Sequence, residues 1–314
     1  MILEREDALY VAKAFEDYFS NIGSTEEYMR DEKIKSLANI PQSLFPPEDD
    51  LFSDFSMHPN DMEIDVCEID NTTWETLLAI TSSHINKSPV GKNIKLVAME
   101  KKSGKILGFI RLGSPVIYMK PRNELLGQVW IQNEDTAKRF NNSTVMGFAI
   151  VPSQPFGFNY LGGKLLAGIC TTHEVREMCN KKYGMNVCLF ETTSLYGSTK
   201  QVSQYDGMKP FIRYQGLTES DMTPMMHGER YINLRDYVEN KVGDLLEGDT
   251  SSTSRKMRTF TKMIALTKAA LKGTPEGEAF LETIENAKKL TEKKRYYTSN
   301  YRSEEHTSEL QSHS

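Results

Sequence analysis

Residues 145–169 read VMGFAIVPSQPFGFNYLGGKLLAGI: an apolar β-prone run, a turn carrying Gly157, Gly162 and Gly163, then a helix-forming stretch. The first amides of a helix lack internal acceptors and the helix dipole favours an anion beside them, so such a turn can hold a phosphate or pyrophosphate. Glycine permits close backbone approach and unusual torsions; equally, Gly162 and Gly163 would let the helix pack tightly on a sheet. Lys164 extends from the first turns of that helix, toward a bound anion or into solvent. Glu191 follows the apolar segment 187–190, at a strand end where open α/β sheets place ligands. A carboxylate there with a raised pKa can take a proton from an amine, or it can bind backbone amides. Lys200 and Arg213 are further cations within reach of the same region of sequence, while His84 and His173 stand alone. Cys67, Cys170, Cys179 and Cys188 show neither CxxC spacing nor a ligand pattern with histidine, so no metal site is expected, and Cys170, Cys179 and Cys188, in apolar surroundings, read as reduced core or partly buried thiols.

These groups need a sheet and helices to position them. Residues 94–99 and 106–112 read as a hairpin around the polar turn KKSGK, ended by Gly113-Ser114-Pro115. Residues 144–151 are almost wholly apolar and read as a central strand covered on both faces. Residues 161–183 read as one long helix closed by Gly184, followed by a strand over 187–190 that the crossover rule makes parallel to 144–151. Upstream, Ala8, Val11, Phe15, Tyr18 and Phe19 recur at helical spacing within residues 4–19, stopped by Asn21-Ile22-Gly23. A weaker helix is read over 24–39 and irregular chain over 41–70, where Pro46, Pro47 and Pro59 interrupt regular structure. Thr72 and Glu75 have capping-box spacing before a helix whose inward face is Trp74, Leu77, Leu78 and Ile80. Residues 255–272 and 276–296 read as two helices split by Gly273-Thr274-Pro275, behind a flexible joint at 250–254.

An apolar content of 39% is enough for a sizeable core, and the lack of any 18-residue apolar run excludes a membrane-spanning helix. The N-terminus, MILEREDALY, is acidic where a signal peptide is basic and then apolar, so a cytoplasmic protein is expected, in the host cytoplasm if it is viral. Residues 36–86 hold ten acids and no Lys or Arg, whereas 255–272 hold six cations and no acid. That basic helix is read as approaching nucleic acid, as docking on the acidic segment, or as a solvated face. The final stretch 302–314, RSEEHTSELQSHS, resembles a translated sequencing adapter and is left out of the fold reasoning, with the natural C-terminus expected beyond residue 301.

The segment 145–169 resembles the cofactor-binding core of GNAT-type acyltransferases, where a strand ending in Val and Pro leads to Q/R-x-x-G-x-G/A and a helix containing Leu-Leu. The counterparts are Val151-Pro152, Gln154 to Asn159 with Gly157 between, and Leu165-Leu166; Gly162 takes the last small-residue slot when the leucine pair sets the register. From about residue 89 to 218 the chain is also similar to the Druantia-type anti-phage family (DruA), and more distantly to the Mom-type DNA-modification proteins of phages. The carrying motifs are ILGFIRLGSP at 106–115, NYLGGKLL at 159–166, LFET at 189–192, Tyr196-Gly197 and GLT at 216–218, with SQYD at 203–206 in place of the family's A-x-N-W. The resemblance implies an α/β (α+β) fold with a GNAT-like mixed central sheet over 89–237, a helical, acidic N-terminal extension (1–88) and a basic helical C-terminal segment (238–301). It implies acetyl-CoA or a related acyl-CoA as cofactor, bound by Phe148, Ile150, Val151, Gln154, Gly157, Asn159, Gly162, Gly163 and Lys164. Glu191 would deprotonate the acceptor and Tyr205 would protonate the leaving thiolate, unless Tyr205 is a core residue. A nucleobase amine is the acceptor the Mom resemblance points to, with helix 255–272 holding the nucleic-acid backbone. The alternatives are a catalytically degenerate GNAT-fold binding protein in phage–host conflict and a virion or assembly component.

Overall fold

The structure, a computed structural model, describes residues 2–20, 25–38, 40, 50–83, 91–127, 133–154, 156–194, 203–218, 225–249, 255–289 and 293–301. In chain order the elements are α1 (Arg5–Phe19), α2 (Thr25–Ala38), β1 (Ile64–Cys67), α3 (Asn71–Thr81), β2 (Asn93–Glu100), β3 (Lys105–Gly113), α4 (Lys120–Leu126), α5 (Glu134–Ser143), β4 (Thr144–Pro152), α6 (Phe156–Asn159), α7 (Gly162–Ile169), α8 (His173–Tyr183), β5 (Leu189–Ser194), β6 (Arg213–Leu217), α9 (Gly228–Val242), α10 (Arg255–Ala270), α11 (Pro275–Lys289) and β7 (Arg295–Asn300). They divide into two units, residues 1–29 with 220–292 and residues 30–219 with 293–314.

The first unit is helical. α1 buries the expected Ala8, Val11, Phe15, Tyr18 and Phe19, and their partners come from α9, α10 and α11, more than 200 residues later. Phe15 meets Phe260 and Phe280 edge-on at 5.7 and 5.5 Å between ring centres, with Leu234, Val238, Met263 and Ile284 completing the core. Edge-to-face contacts of this kind add to the apolar burial that holds the helices together.

The second unit is a seven-stranded mixed sheet flanked by helices, in the order β1-β2-β3-β4-β5-β7-β6. Every neighbouring pair is antiparallel except β4 and β5. Because strand side chains alternate between faces, one face carries Leu96, Ile110, Ile150, Phe190 and Tyr297 against Leu166, Ala167 and Val175 of α7 and α8. The other carries Val97, Phe109 and Ala149 against Trp74, Leu77 and Leu78 of α3, and Met146 and Tyr296 against Met119. Gly108 lets α7 and β4 close on β3: a Cβ there would run into Leu166 Cδ1 and lie 2.7 Å from the Val151 carbonyl oxygen and 2.9 Å from Pro152 Cα. Backbone cannot yield as a flexible side chain can. Gly108→Ala is therefore expected to lower folding stability by about 1–3 kcal/mol, read as a lower denaturant midpoint; an unchanged midpoint would show that the strands shift freely.

Four local expectations are corrected. The helix read over 161–183 is two, α7 and α8. The Thr171 and Thr172 hydroxyls donate back to the Gly168 and Ile169 carbonyls and end the first, and the Thr172 oxygen then accepts the Val175 amide and caps the second. The helix read to Tyr296 stops at Lys289, and Arg295–Asn300 is instead the strand between β5 and β6. The cap of α3 is Asp70, accepting from the Thr73 amide, while Glu75 pairs with Lys95 and Arg111. Within 41–70, Ile64–Cys67 is an edge strand and Pro59–Asp61 a short 3-10 turn. Asn21–Gly23, Pro46-Pro47 and 302–314 lie outside the described residues.

Candidate functional site

β4 and β5 pair only from Thr144↔Leu189 to Gly147↔Thr192. Beyond that point β4 continues to Pro152 beside β3, and β5 continues to Ser194 beside β7. The two strands part, and a cleft of about 370 Å³ opens where they do. β4 supplies residues Phe148 to Pro152 to one wall, and β5 supplies Thr193 and Ser194 to the other. Gln154 enters from the turn after β4, Gln204 and Tyr205 from the loop before β6, Thr81 and Ser83 from the end of α3, and Lys294 from just before β7. Along 148–152 the β5-facing edge of β4 has no strand partner among the described residues.

The cleft thus brings together five of the residues singled out in the sequence: Phe148, Ile150, Val151, Gln154 and Tyr205. Tyr205 is buried with its ring edge-on to Tyr297 at 5.2 Å. Burial pushes its hydroxyl up to about 12, against the opposing hydrogen bonds with Thr192 and Gln204. Its loop is fastened at Asp206, whose carboxylate accepts from Tyr297 at 2.9 Å and pairs with Arg295 at 3.2 Å. Lys164 donates to the Asp206 carbonyl at 2.7 Å, so it ties α7 to this loop.

Gly157, Asn159, Gly162, Gly163 and Lys164 form the turn and first helical residues beside the cleft and are not among its lining residues. A Cβ on Gly157 would meet the Gln154 amide nitrogen and Pro152 Cγ at 2.6 Å; on Gly162, the Phe156 ring at 2.6 Å; on Gly163, the Gln204 side-chain oxygen at 2.8 Å. Their small size is used in close packing. α7 itself begins from Leu161, held in the left-handed region at φ 53 with no side-chain cap for the first amides. A non-glycine residue in that region stores strain.

Glu191 sits in the middle of β5, not at the end of a strand, because β5 runs on to Ser194. It points away from the Phe190 face, is fully buried, and does not line the cleft. Arg122 donates to one of its oxygens at 2.9 Å and the Tyr296 hydroxyl to the other at 2.7 Å. Arg122, also fully buried, reaches the Val116 and Ile117 carbonyls at 2.7 and 2.9 Å. Burial raises the Glu191 carboxyl above its ordinary range, with Arg122 and Tyr296 opposing the rise. The cluster backs onto the cleft wall through Phe148, which packs against Met119, Met146 and Tyr296.

Sequence reasoning missed Thr193, Ser194, Gln204 and Lys294, for which register past the end of strand pairing was the needed signal. Lys294 falls within the helical pattern of 276–296. Arg213 is exposed on β6 and His173 is exposed at the start of α8, whereas His84, Tyr196, Gly197 and Lys200 lie outside the described residues. On α10 the Arg258 cation pairs with Asp249 at 2.9 Å and Lys256 lies 4.6 Å from the centre of the Tyr231 ring, leaving Arg255, Lys262 and Lys268 exposed on the helix and Lys272 exposed just beyond it. Among the described residues no group of three or more His, Cys, Asp or Glu is placed to hold a metal ion, and no helix is long and apolar enough to cross a membrane.

Residues 59–207 match the model of the family described as Druantia protein DruA. That span contains the residues assigned to cofactor binding and catalysis from the sequence and excludes Arg213 and Lys294. The chain is 24% identical over 186 residues to Druantia protein DruA of Escherichia coli (strain UMEA 4076-1), covering 54% of this chain and 45% of that relative. The chain therefore matches less than half the length of that relative. No solved structure matches.

Proposed function

We propose that this chain is a GNAT-like N-acyltransferase that moves an acyl group from an acyl-CoA to an amine, with the cleft between β4 and β5 as the cofactor slot. The observation that carries the reading is the parting of the one parallel strand pair in the described sheet, which frees the β4 edge along 148–152. Peptide groups on that edge can pair with the amides of an extended arm as an added strand would, while Phe148, Ile150 and Val151 supply the apolar wall. The start of α7 after Leu161 has no side-chain cap, and its first amides would take the pyrophosphate beside the slot. An acyl-CoA held there supplies an activated thioester and a thiol leaving group. Tyr205 then faces the slot as a hydrogen-bond donor.

Glu191, held by Arg122 and Tyr296 behind the wall, is assigned to building that wall and not to the acceptor's deprotonation. The acceptor class we favour is the exocyclic amine of a nucleobase; separately, exposed Arg255, Lys262 and Lys268 of α10 would let the helical unit bind nucleic-acid phosphates. The match to Druantia protein DruA supports a setting in phage–host conflict, and use of an acyl-CoA would be consistent with a cytoplasmic location.

A second reading, a binding protein without turnover, is favoured by the engagement of Lys164 with Asp206 and of Gly162 and Gly163 in packing. Calorimetric titration of the full chain with acetyl-CoA separates the two. The expected dissociation constant lies between about 1 µM and 1 mM, the range of enzyme substrates. Thr193→Trp, which fills the cleft, should weaken it at least about tenfold, or about 1.4 kcal/mol, with its melting transition still cooperative. Absence of binding by folded protein would move the assignment to the binding-only reading.

A further inference from the structure

We propose that Lys294 is the general base of the cleft, taking one proton from the attacking nitrogen of the acceptor; this rests on the acyl-transfer reading above. An amine that becomes an amide must lose a proton to some group within reach. Gln154, Thr193, Ser194 and Gln204 do not titrate, Tyr205 keeps its proton up to about 12, and Glu191 is off the cleft and doubly bonded. Lys294 is the remaining titratable side chain among the described lining residues.

Its placement is built in. In the antiparallel register Thr193↔Tyr296 and Ser194↔Arg295, Lys294 comes next, at the mouth of the parted strands. Its backbone is clamped on both sides by Thr218, whose hydroxyl accepts from the Lys294 amide at 2.9 Å and whose own amide donates to the Lys294 carbonyl at 2.8 Å.

Among the described residues, the nearby Arg295 and Asp206 are committed elsewhere. Arg295 on the same strand pairs with Asp206 at 3.2 Å and lies 4.4 Å from the centre of the Tyr214 ring. Asp206 also binds Tyr297, and its carbonyl takes the Lys164 ammonium. The lining residues from α3, β4 and β5 bring no charge. Among the described residues no carboxylate lies within ion-pair reach of Lys294. The residue as a whole keeps solvent exposure, and partial desolvation holds its ammonium below the ordinary lysine range. That direction is the one a lysine base needs, because it enlarges the neutral fraction at working pH.

The proton balance is simple. The acceptor's N–H bond breaks and its electron pair stays with the nitrogen that bonds to the acyl carbon, while the acyl carbon–sulfur bond breaks and its electron pair departs with the CoA sulfur as a thiolate, which takes its proton from solvent. Lys294 passes from amine to ammonium and returns the proton to solvent.

The test uses the full chain, with Lys294→Met and Lys294→Arg. Trace acetic anhydride is added with free lysine in the same tube, from about pH 6 to about pH 11, bracketing the ordinary lysine range, and the peptide containing Lys294 is quantified by mass spectrometry. The labelling curve of Lys294 is expected at lower pH than that of free lysine; superimposed curves overturn the proposal. Calorimetry should give both variants an acetyl-CoA affinity within about threefold of wild type. Thiol release from acetyl-CoA with ethanolamine should fall about 10²–10⁴-fold in both, the usual range for a general base. Loss in Lys294→Arg separates proton transfer from simple positive charge, and either variant retaining the rate overturns the base role. Stoichiometric acetylation of Lys294 itself would make it an acceptor and also overturn it. If wild type does not bind acetyl-CoA, the acyl-transfer reading falls and the base role with it; binding with an unshifted labelling curve removes the base role alone.

Discussion

Arg122→Met is expected to cost about 3–5 kcal/mol of folding stability, the usual penalty for leaving one member of a buried ion pair without its partner. Both side chains of the Arg122–Glu191 pair are fully buried at 2.9 Å, so the loss is not softened by solvent as it would be at the surface. The sign of the pH dependence follows from Glu191. Burial raises its carboxyl and Arg122 opposes the rise, so removing Arg122 lets burial act with only Tyr296 against it. A carboxyl whose folded pKa is raised contributes stability that is fully present below its unfolded value, about 4.3, and is lost as pH rises through the folded value. The deficit of Arg122→Met relative to wild type should therefore be smallest near pH 4 and grow toward neutrality (about pH 7). Chemical denaturation at both ends of that range measures it. The double variant Arg122→Met with Glu191→Leu should recover much of the loss, since an apolar pair can replace a buried ion pair. A single variant within about 1 kcal/mol of wild type, as for an exposed pair, would mean that water reaches Glu191.

Much of this arrangement was legible from local pattern, and the unread part is non-local. Hydrophobic periodicity located α1 and its buried face, the hairpin of β2 and β3, and central β4, because each buries a stripe or face that its own residues define. The run of Tyr296, Tyr297 and Thr298 has strand character, but the charged stretch before it extends a helical pattern across the boundary. Its place between β5 and β6 is fixed by pairing with residues about 100 positions earlier. The same holds for Arg122: nothing near it in sequence announces that a guanidinium will be buried against Glu191, 69 residues on. Glu75 shows the converse, where capping-box spacing was present but Asp70 took the cap and tertiary partners took the carboxylate. At the site, the β4 residues and Tyr205 were readable from strand and motif. Thr193, Ser194 and Lys294 were not, because their common location depends on where two strands stop pairing.

Tyr205→Phe is expected to leave acetyl-CoA affinity within about threefold of wild type while lowering transfer to an amine about 10²-fold, the lower range for proton-transfer partners. The ring keeps its contact with Tyr297 at 5.2 Å, so the change is confined to the hydroxyl. Loss of its hydrogen bonds with Thr192 and Gln204 should cost about 1 kcal/mol of stability. A thiol of ordinary pKa, about 8.5, yields a thiolate less basic than the phenolate of a tyrosine pushed up to about 12. Tyr205 thus stabilises the departing sulfur chiefly by donating a hydrogen bond, and it stays protonated through neutral and moderately alkaline pH. Its removal should lower the whole pH–rate profile without shifting it, whereas removal of Lys294 should erase the rising limb. An alkaline limb that vanishes in Tyr205→Phe would contradict this division. If the two groups act on the same transition state, the double variant should lose less than the product of the single losses, since groups that act as a unit are non-additive.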